Sequence, residues 1–192
     1  MPEQASAFAA RLQQLEDRFA LQDLVAAYCR AIDDRDLETF VSLFTRDGRM
    51  RHQDSAMDVQ GRSALYEYYA ERFPSYGVTF HYPHACNVAF DSPDAATGWV
   101  TAHAEMDLGG EFVLAAFRYS DRYAREDGQW RFAERILACW YYMRLVDLPT
   151  QIGSRLRKHY KGQRLQAELP ESLATYQAWH PDSATERLAE HA

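Results

Sequence analysis

Two histidines, His81 and His84, interrupt the stretch GVTFHYPHACNVAF, which otherwise carries the β-branched and aromatic residues of a strand. An imidazole in such a place can bind a metal, move a proton, or sit as a hydrogen-bonded core residue. Tyr28 and Asp33 form a second candidate pair. A step of five residues turns about 140° around a helix. The two therefore share a pocket only if the helix ends near Ile32 and the chain bends Asp33 inward; otherwise they are a core phenol and a helix-end carboxylate. Brought together, a buried phenol can donate to a leaving or developing oxygen, and a carboxylate can fix an imidazole tautomer. Further on, His103 alternates with Glu105 on a strand whose polar side either faces solvent or lines a cavity. Arg135, in apolar surroundings, either pairs with a carboxylate or steadies anionic charge during a reaction.

Strand alternation weighs against a metal. It places Thr79, His81, Pro83, Ala85 and Asn87 on one face, and Phe80, Tyr82, His84, Cys86, Val88 and Phe90 on the other. H-x-x-H on a strand thus splits its two rings, and no Cys pair or His–carboxylate helix motif completes a ligand set. Pro83 breaks the ladder and suggests an edge or a bulge, which leaves open which histidine faces a pocket. Cys29, Cys86 and Cys139 are scattered without C-x-x-C spacing, so neither a disulfide framework nor a thiolate zinc site is expected.

The elements that must position these residues follow from periodicity. Leu12, Leu15, Phe19, Leu21, Leu24, Val25, Tyr28 and Ile32 recur at helical spacing, and the stripe predicts a helix facing the core. Asp36 is a candidate N-cap for a second helix, LETFVSLF, burying Leu37, Phe40, Val41 and Phe44. RDGR predicts a turn into a short strand around Met50 to Gln53, and a third helix is expected over 63–73, stopping before Pro74. Strand-like segments follow near 78–90, 95–108, 111–125 and 129–143, separated by the turn signals DSPD, GG and EDG; they predict an antiparallel meander. Helices first and strands afterwards give an α+β domain over 1–144. Residues 145–192 are expected to be a C-terminal extension (a lid, an oligomer contact or a tail). Within it QIGSRLRKHYKGQRL could form a basic amphipathic helix and PESLATYQAWHPDSATERLAEHA reads as a tail.

The chain has 192 residues, 47% of them hydrophobic, enough for one domain with a real core. Its net charge of −7 and lack of a basic block outside a short C-terminal run disfavour nucleic-acid binding. No apolar run approaches the roughly 20 residues that span a bilayer. The N-terminus has acidic residues and no apolar signal core, so a cytoplasmic location is expected.

LQDLVAAYCRAIDDRDLETFVSLFTRDGRM, GRSALYEYY, TFHYPHACNVAFDSPDAATGW and FRYSDRYAREDGQWRFAER, in that order, resemble the SnoaL-like branch of the nuclear-transport-factor-2-like superfamily over about 15–143. The resemblance implies a cone: a curved, mostly antiparallel sheet packed around three N-terminal helices, with a pocket in its mouth. Within the superfamily the chain is most similar to the lyase group of scytalone dehydratase, bile-acid 7α-dehydratase and γ-hexachlorocyclohexane dehydrochlorinase. That similarity implies elimination without a cofactor or metal on a hydrophobic, cyclic or aromatic small molecule. His81 would take the proton, Asp33 orient His81, Tyr28 donate to oxygen, Arg135 steady charge, and His103 add a polar catalytic group. Phe44, His52, His84, Phe117 and Tyr141 are the expected substrate contacts. A homotrimer or homodimer is implied as well. The same resemblance leaves room for a carbon–carbon lyase acting on diaryl compounds, an isomerase using His52, or a non-catalytic small-subunit module.

Overall fold

The computed structural model describes residues 2–160 and 162–180. Helix α1 (Pro2–Asp33) leads into α2 (Leu37–Ser42), where the Asp36 carboxylate accepts from the Thr39 N–H at 3.0 Å, as an N-cap should. Strand β1 (Phe44–His52), the short β2 (Asp58–Gln60) and α3 (Arg62–Ala70) follow. The long meander β3 (Tyr76–Ser92), β4 (Ala95–Leu108), β5 (Glu111–Glu126) and β6 (Gln129–Arg144) comes next. The main path of the sheet runs β2-β1-β6-β5-β4-β3, and along it the pairs are antiparallel except where β1 lies parallel to β6, so β3 with its Pro83 is an edge. It curves, unclosed, around the helices, and Leu21, Val25, Phe40, Phe44, Leu65, Val100 and Phe132 meet in its core. None of the described helices is long and apolar enough to cross a membrane.

Three expectations need correcting. Leu12, Leu15 and Phe19 continue the apolar stripe of α1 but are 47%, 55% and 65% exposed, because only the C-terminal half of α1 meets the sheet. RDGR does not turn the chain; it bulges within β1, where the register jumps from Phe44↔Phe132 to Arg49↔Glu134. Gly48 permits that bulge, since a Cβ there would meet the Phe132 carbonyl oxygen at 2.9 Å.

The third correction concerns the C-terminal extension. In place of a basic helix it forms the one-turn α4 (Leu148–Gln151) and a hairpin of β7 (Lys158–Tyr160) and β8 (Gln163–Leu165), before α5 (Ala174–Trp179). Its backbone continues the sheet. β1 stops beside Leu137; beyond that point the Leu169 N–H reaches the Cys139 carbonyl at 3.0 Å, and the Tyr142 N–H reaches the Arg157 carbonyl at 2.9 Å. Those β6 groups would otherwise lack partners, and an unpaired edge is costly to leave open. The end of the expected tail, 181–192, lies outside the described residues.

Candidate active site

Asp33 is the last residue of α1, and the chain leaves the helix there through Arg35, whose φ of +60° turns it sharply. The bend brings Asp33 against β3. Its Oδ1 lies 2.6 Å from His81 Nδ1 and accepts from the Thr79 hydroxyl at 3.0 Å, while Oδ2 accepts from the His81 backbone N–H at 2.8 Å. Arg35 extends the chain of bonds, its Nη1 donating to Thr79 Oγ1 at 2.8 Å and to the Ile32 carbonyl at 2.6 Å. Burial pushes the Asp33 pKa up, but the bonds from the His81 ring and backbone and from Thr79 outweigh it and hold the carboxyl below its usual range. A carboxylate on Nδ1 makes that nitrogen the donor and leaves Nε2 as the acceptor.

The His81 ring lines a cavity of about 120 Å³ between the helices and the sheet. Tyr28, Met50, Tyr69, Phe117, Tyr119 and Met106 form its inner wall. Tyr76, Leu108, Tyr142 and Tyr160 line both this cavity and an outer vestibule of about 810 Å³. The extension therefore supplies part of the wall. The Tyr28 and Tyr69 hydroxyls both point at Met50 Sδ, at 3.6 and 3.3 Å, a weak acceptor. Burial raises both phenols well above their ordinary pKa, so they remain protonated donors.

His52, at the end of β1, also lines the cavity. Its buried Nδ1 has no hydrogen-bond partner. Burial first, and then the nearby Lys158 ammonium, lower its pKa to about 4 against the opposing pull of Asp54. Lys158 itself is buried on the cavity wall, bonded to Asp54 Oδ2 at 2.6 Å and to Glu168 Oε1.

The remaining expected residues are placed elsewhere. Arg135 is fully buried and bidentate to Asp121 at 2.9 and 2.8 Å. Its guanidinium lies 4.2 Å from the Tyr28 ring centroid and 4.1 Å from that of Tyr119. The expected charge-steadying Arg therefore sits behind the wall, and it reaches the cavity only through these rings. Phe44 is likewise behind Tyr28, with ring centroids 6.3 Å apart. His84, His103 and Tyr141 lie on the outer face of the sheet, around a separate groove. There His84 Nε2 is 2.7 Å from His103 Nδ1, and the His103 ring stacks on Tyr82 at 4.7 Å.

Alternation and bulges explain these placements. In β3 alternation already sets His84 opposite His81, and an extra residue between Pro83 and Cys86 moves Cys86, Val88 and Phe90 to the same face as His81. In β6, extra residues at Ala133 and Trp140 turn Phe132, Arg135, Leu137, Cys139 and Tyr142 inward and Tyr141 outward. β4 has no bulge against β5, so its polar side, His103 included, stays outside. Sequence reasoning missed Arg35 and Lys158. Thr79 could have been found by its position two residues before His81 on the same face.

A model of the SnoaL-like domain matches residues 13–136. The chain belongs to the SnoaL-like family. Among curated SnoaL-like relatives it is 24% identical over 147 residues to the gamma-hexachlorocyclohexane dehydrochlorinase of Sphingobium indicum, covering 71% of this chain and 89% of that protein. A crystal structure of a type 2 hexachlorocyclohexane dehydrochlorinase superposes with a TM-score of 0.66 at 25% identity, covering 70% of this chain and 93% of that one. A candidate scytalone dehydratase from Novosphingobium aromaticivorans gives 0.64 at 20% identity, covering 68% and 89%, which shows the shared fold. The dehydrochlorinase relatives support a lyase-like enzyme family.

Proposed function

We propose that this protein is a cofactor-independent lyase that carries out an elimination, dehydration or a related loss, on a hydrophobic cyclic or aromatic small molecule. The observation that carries this reading is the Asp33–His81 pair, 2.6 Å apart, with the imidazole on the wall of a ring-lined cavity. His81 Nε2 removes a proton from carbon. The C–H electron pair becomes the new double bond, and the leaving group departs with its own pair from the neighbouring carbon. The imidazolium so formed faces the Asp33 carboxylate, which the Thr79 and Arg35 bonds hold in place. Tyr28 and Tyr69, which remain protonated, donate to the departing group or to an adjacent oxygen in place of their weak bonds to Met50. The relatives' name, dehydrochlorinase, describes an elimination and supports the same reaction class.

The test is turnover of candidate cyclic alcohols and halides by protein dialysed against chelator. His81→Ala and Asp33→Asn are each expected to lower kcat by about 10²-fold or more. Losses under tenfold in both variants would remove the dyad from the mechanism. A crippled His52→Ala beside a mild His81→Ala would indicate an isomerase-like use of the cavity.

A further inference from the structure

The wall of the cavity holds a second imidazole, His52, in the opposite electrostatic setting to His81. His81 faces a carboxylate; His52 faces the Lys158 ammonium. The charged and titratable groups around His52 are Lys158 and Glu168 from the extension, Asp54 from the loop after β1, and the Cys139 thiol of β6. Burial pushes that thiol up to about 12, so it is neutral. Lys158 is fixed by both carboxylates, and Glu168 Oε2 also accepts from the Cys139 backbone N–H at 2.7 Å. One ammonium with two carboxylates leaves this cluster one charge negative, which disfavours an anionic ligand. Nδ1 of His52 is enclosed and has no hydrogen-bond partner, so no protein group fixes this ring through that nitrogen.

We propose that His52 is a substrate-contacting residue that stays neutral and hydrogen-bonds a hydroxyl or carbonyl oxygen of an uncharged cyclic or aromatic substrate, and that Lys158 of the C-terminal extension is its positioning residue. This rests on the elimination reading above and narrows it to oxygenated substrates. A neutral imidazole can accept from a hydroxyl or donate to a carbonyl, two pairings that a carbon-bound halogen offers poorly. Burial first, and then the fixed Lys158 cation against the pull of Asp54, keep the ring from protonating, so the ring presents the same hydrogen-bonding pattern across the neutral range. No proton leaves or joins His52; its part is to bind and orient, while His81 carries the proton. The family match ends at residue 136, so Lys158 is an addition outside the matched domain.

Two measurements on the full-length protein test this. In the first, the histidine rings are titrated by nuclear magnetic resonance, with His52 assigned from a His52→Phe variant. His52 should remain neutral down to about pH 4. Lys158→Met should raise its midpoint, and Asp54→Asn, which removes an anion and is milder for folding, should lower it. A His52 that titrates as a free imidazole, or a midpoint that neither variant moves, overturns the positioning role.

In the second, cyclohexanone is bound and its carbonyl stretch recorded. The band should lie at lower wavenumber in the wild type and in His81→Ala than in His52→Phe. Equal bands in wild type and His52→Phe overturn the contact. A band that depends on His52 in a protein that turns over no candidate substrate would sustain this inference while removing the elimination reading.

Discussion

Asp33 is held by three donors and His81 by one carboxylate, so neither side chain can turn without breaking a bond. The part of this site hidden from the sequence is Arg35. It occupies a left-handed conformation that costs a non-glycine residue about 1 kcal/mol or more, and its side chain ties the helix end to Thr79. Arg35→Gly separates the two roles: the backbone strain is relieved and the clamp is lost. We expect kcat to fall about tenfold, because the dyad is no longer held in register, while the thermal midpoint moves by only a few degrees. Parallel turnover and calorimetry would read this; unchanged kcat would show that Thr79 alone suffices. Tyr28, Asp33 and His81 were legible because each residue type carries its own chemistry. Arg35 was not, because a surface arginine after a helix has many ordinary uses.

At the scale of elements, alternation predicted four strands and their pairing, yet alternation alone split Cys86, Val88 and Phe90 from His81, and the bulge at Trp140 turns the expected substrate contact Tyr141 outward. A period of two has no tolerance for an inserted residue: one bulge exchanges the faces of everything that follows. Pro83 marked one bulge in the sequence, whereas Ala133 and Trp140 carry no such mark. Gly98 on β4 shows how closely the strands approach. A Cβ there would lie 2.3 Å from the Asn87 carbonyl oxygen of β3, a backbone atom that cannot swing away. Gly98→Ala should therefore lower the thermal midpoint by about 5 °C, followed by circular dichroism, as forced overpacking typically does. A midpoint within 1 °C of wild type, to within about that error, would mean that β3 can shift at no cost.

The whole molecule joins a SnoaL-like cone to an extension that completes both the sheet edge and the cavity wall. This has a consequence in acid. The folded-state pKa of His52 is about 4 against an ordinary 6.5, so the unfolded chain takes up this proton first as the pH falls. His52 thus removes stability between about pH 6.5 and pH 4, on the order of 3 kcal/mol in total. Asp33, with a lowered pKa, contributes stability above its unfolded value of 3.8 that disappears only at lower pH. Denaturant unfolding at pH 7 and at pH 4.5 should show a drop that His52→Gln reduces. An equal drop in both proteins would place the acid sensitivity elsewhere.

The sequence by itself determined the α+β class, the order of helices and strands and the dyad candidates, because these depend on local periodicity and on side-chain chemistry; Pro83 signalled an edge or a bulge, and the structure has both. Tertiary structure decided which faces point inward after each bulge, that Arg135 lies behind Tyr28 and Tyr119, and that Lys158 reaches the cavity beside His52. Those outcomes depend on contacts between different elements, up to 104 positions apart for Lys158 with Asp54, and no local pattern records such contacts.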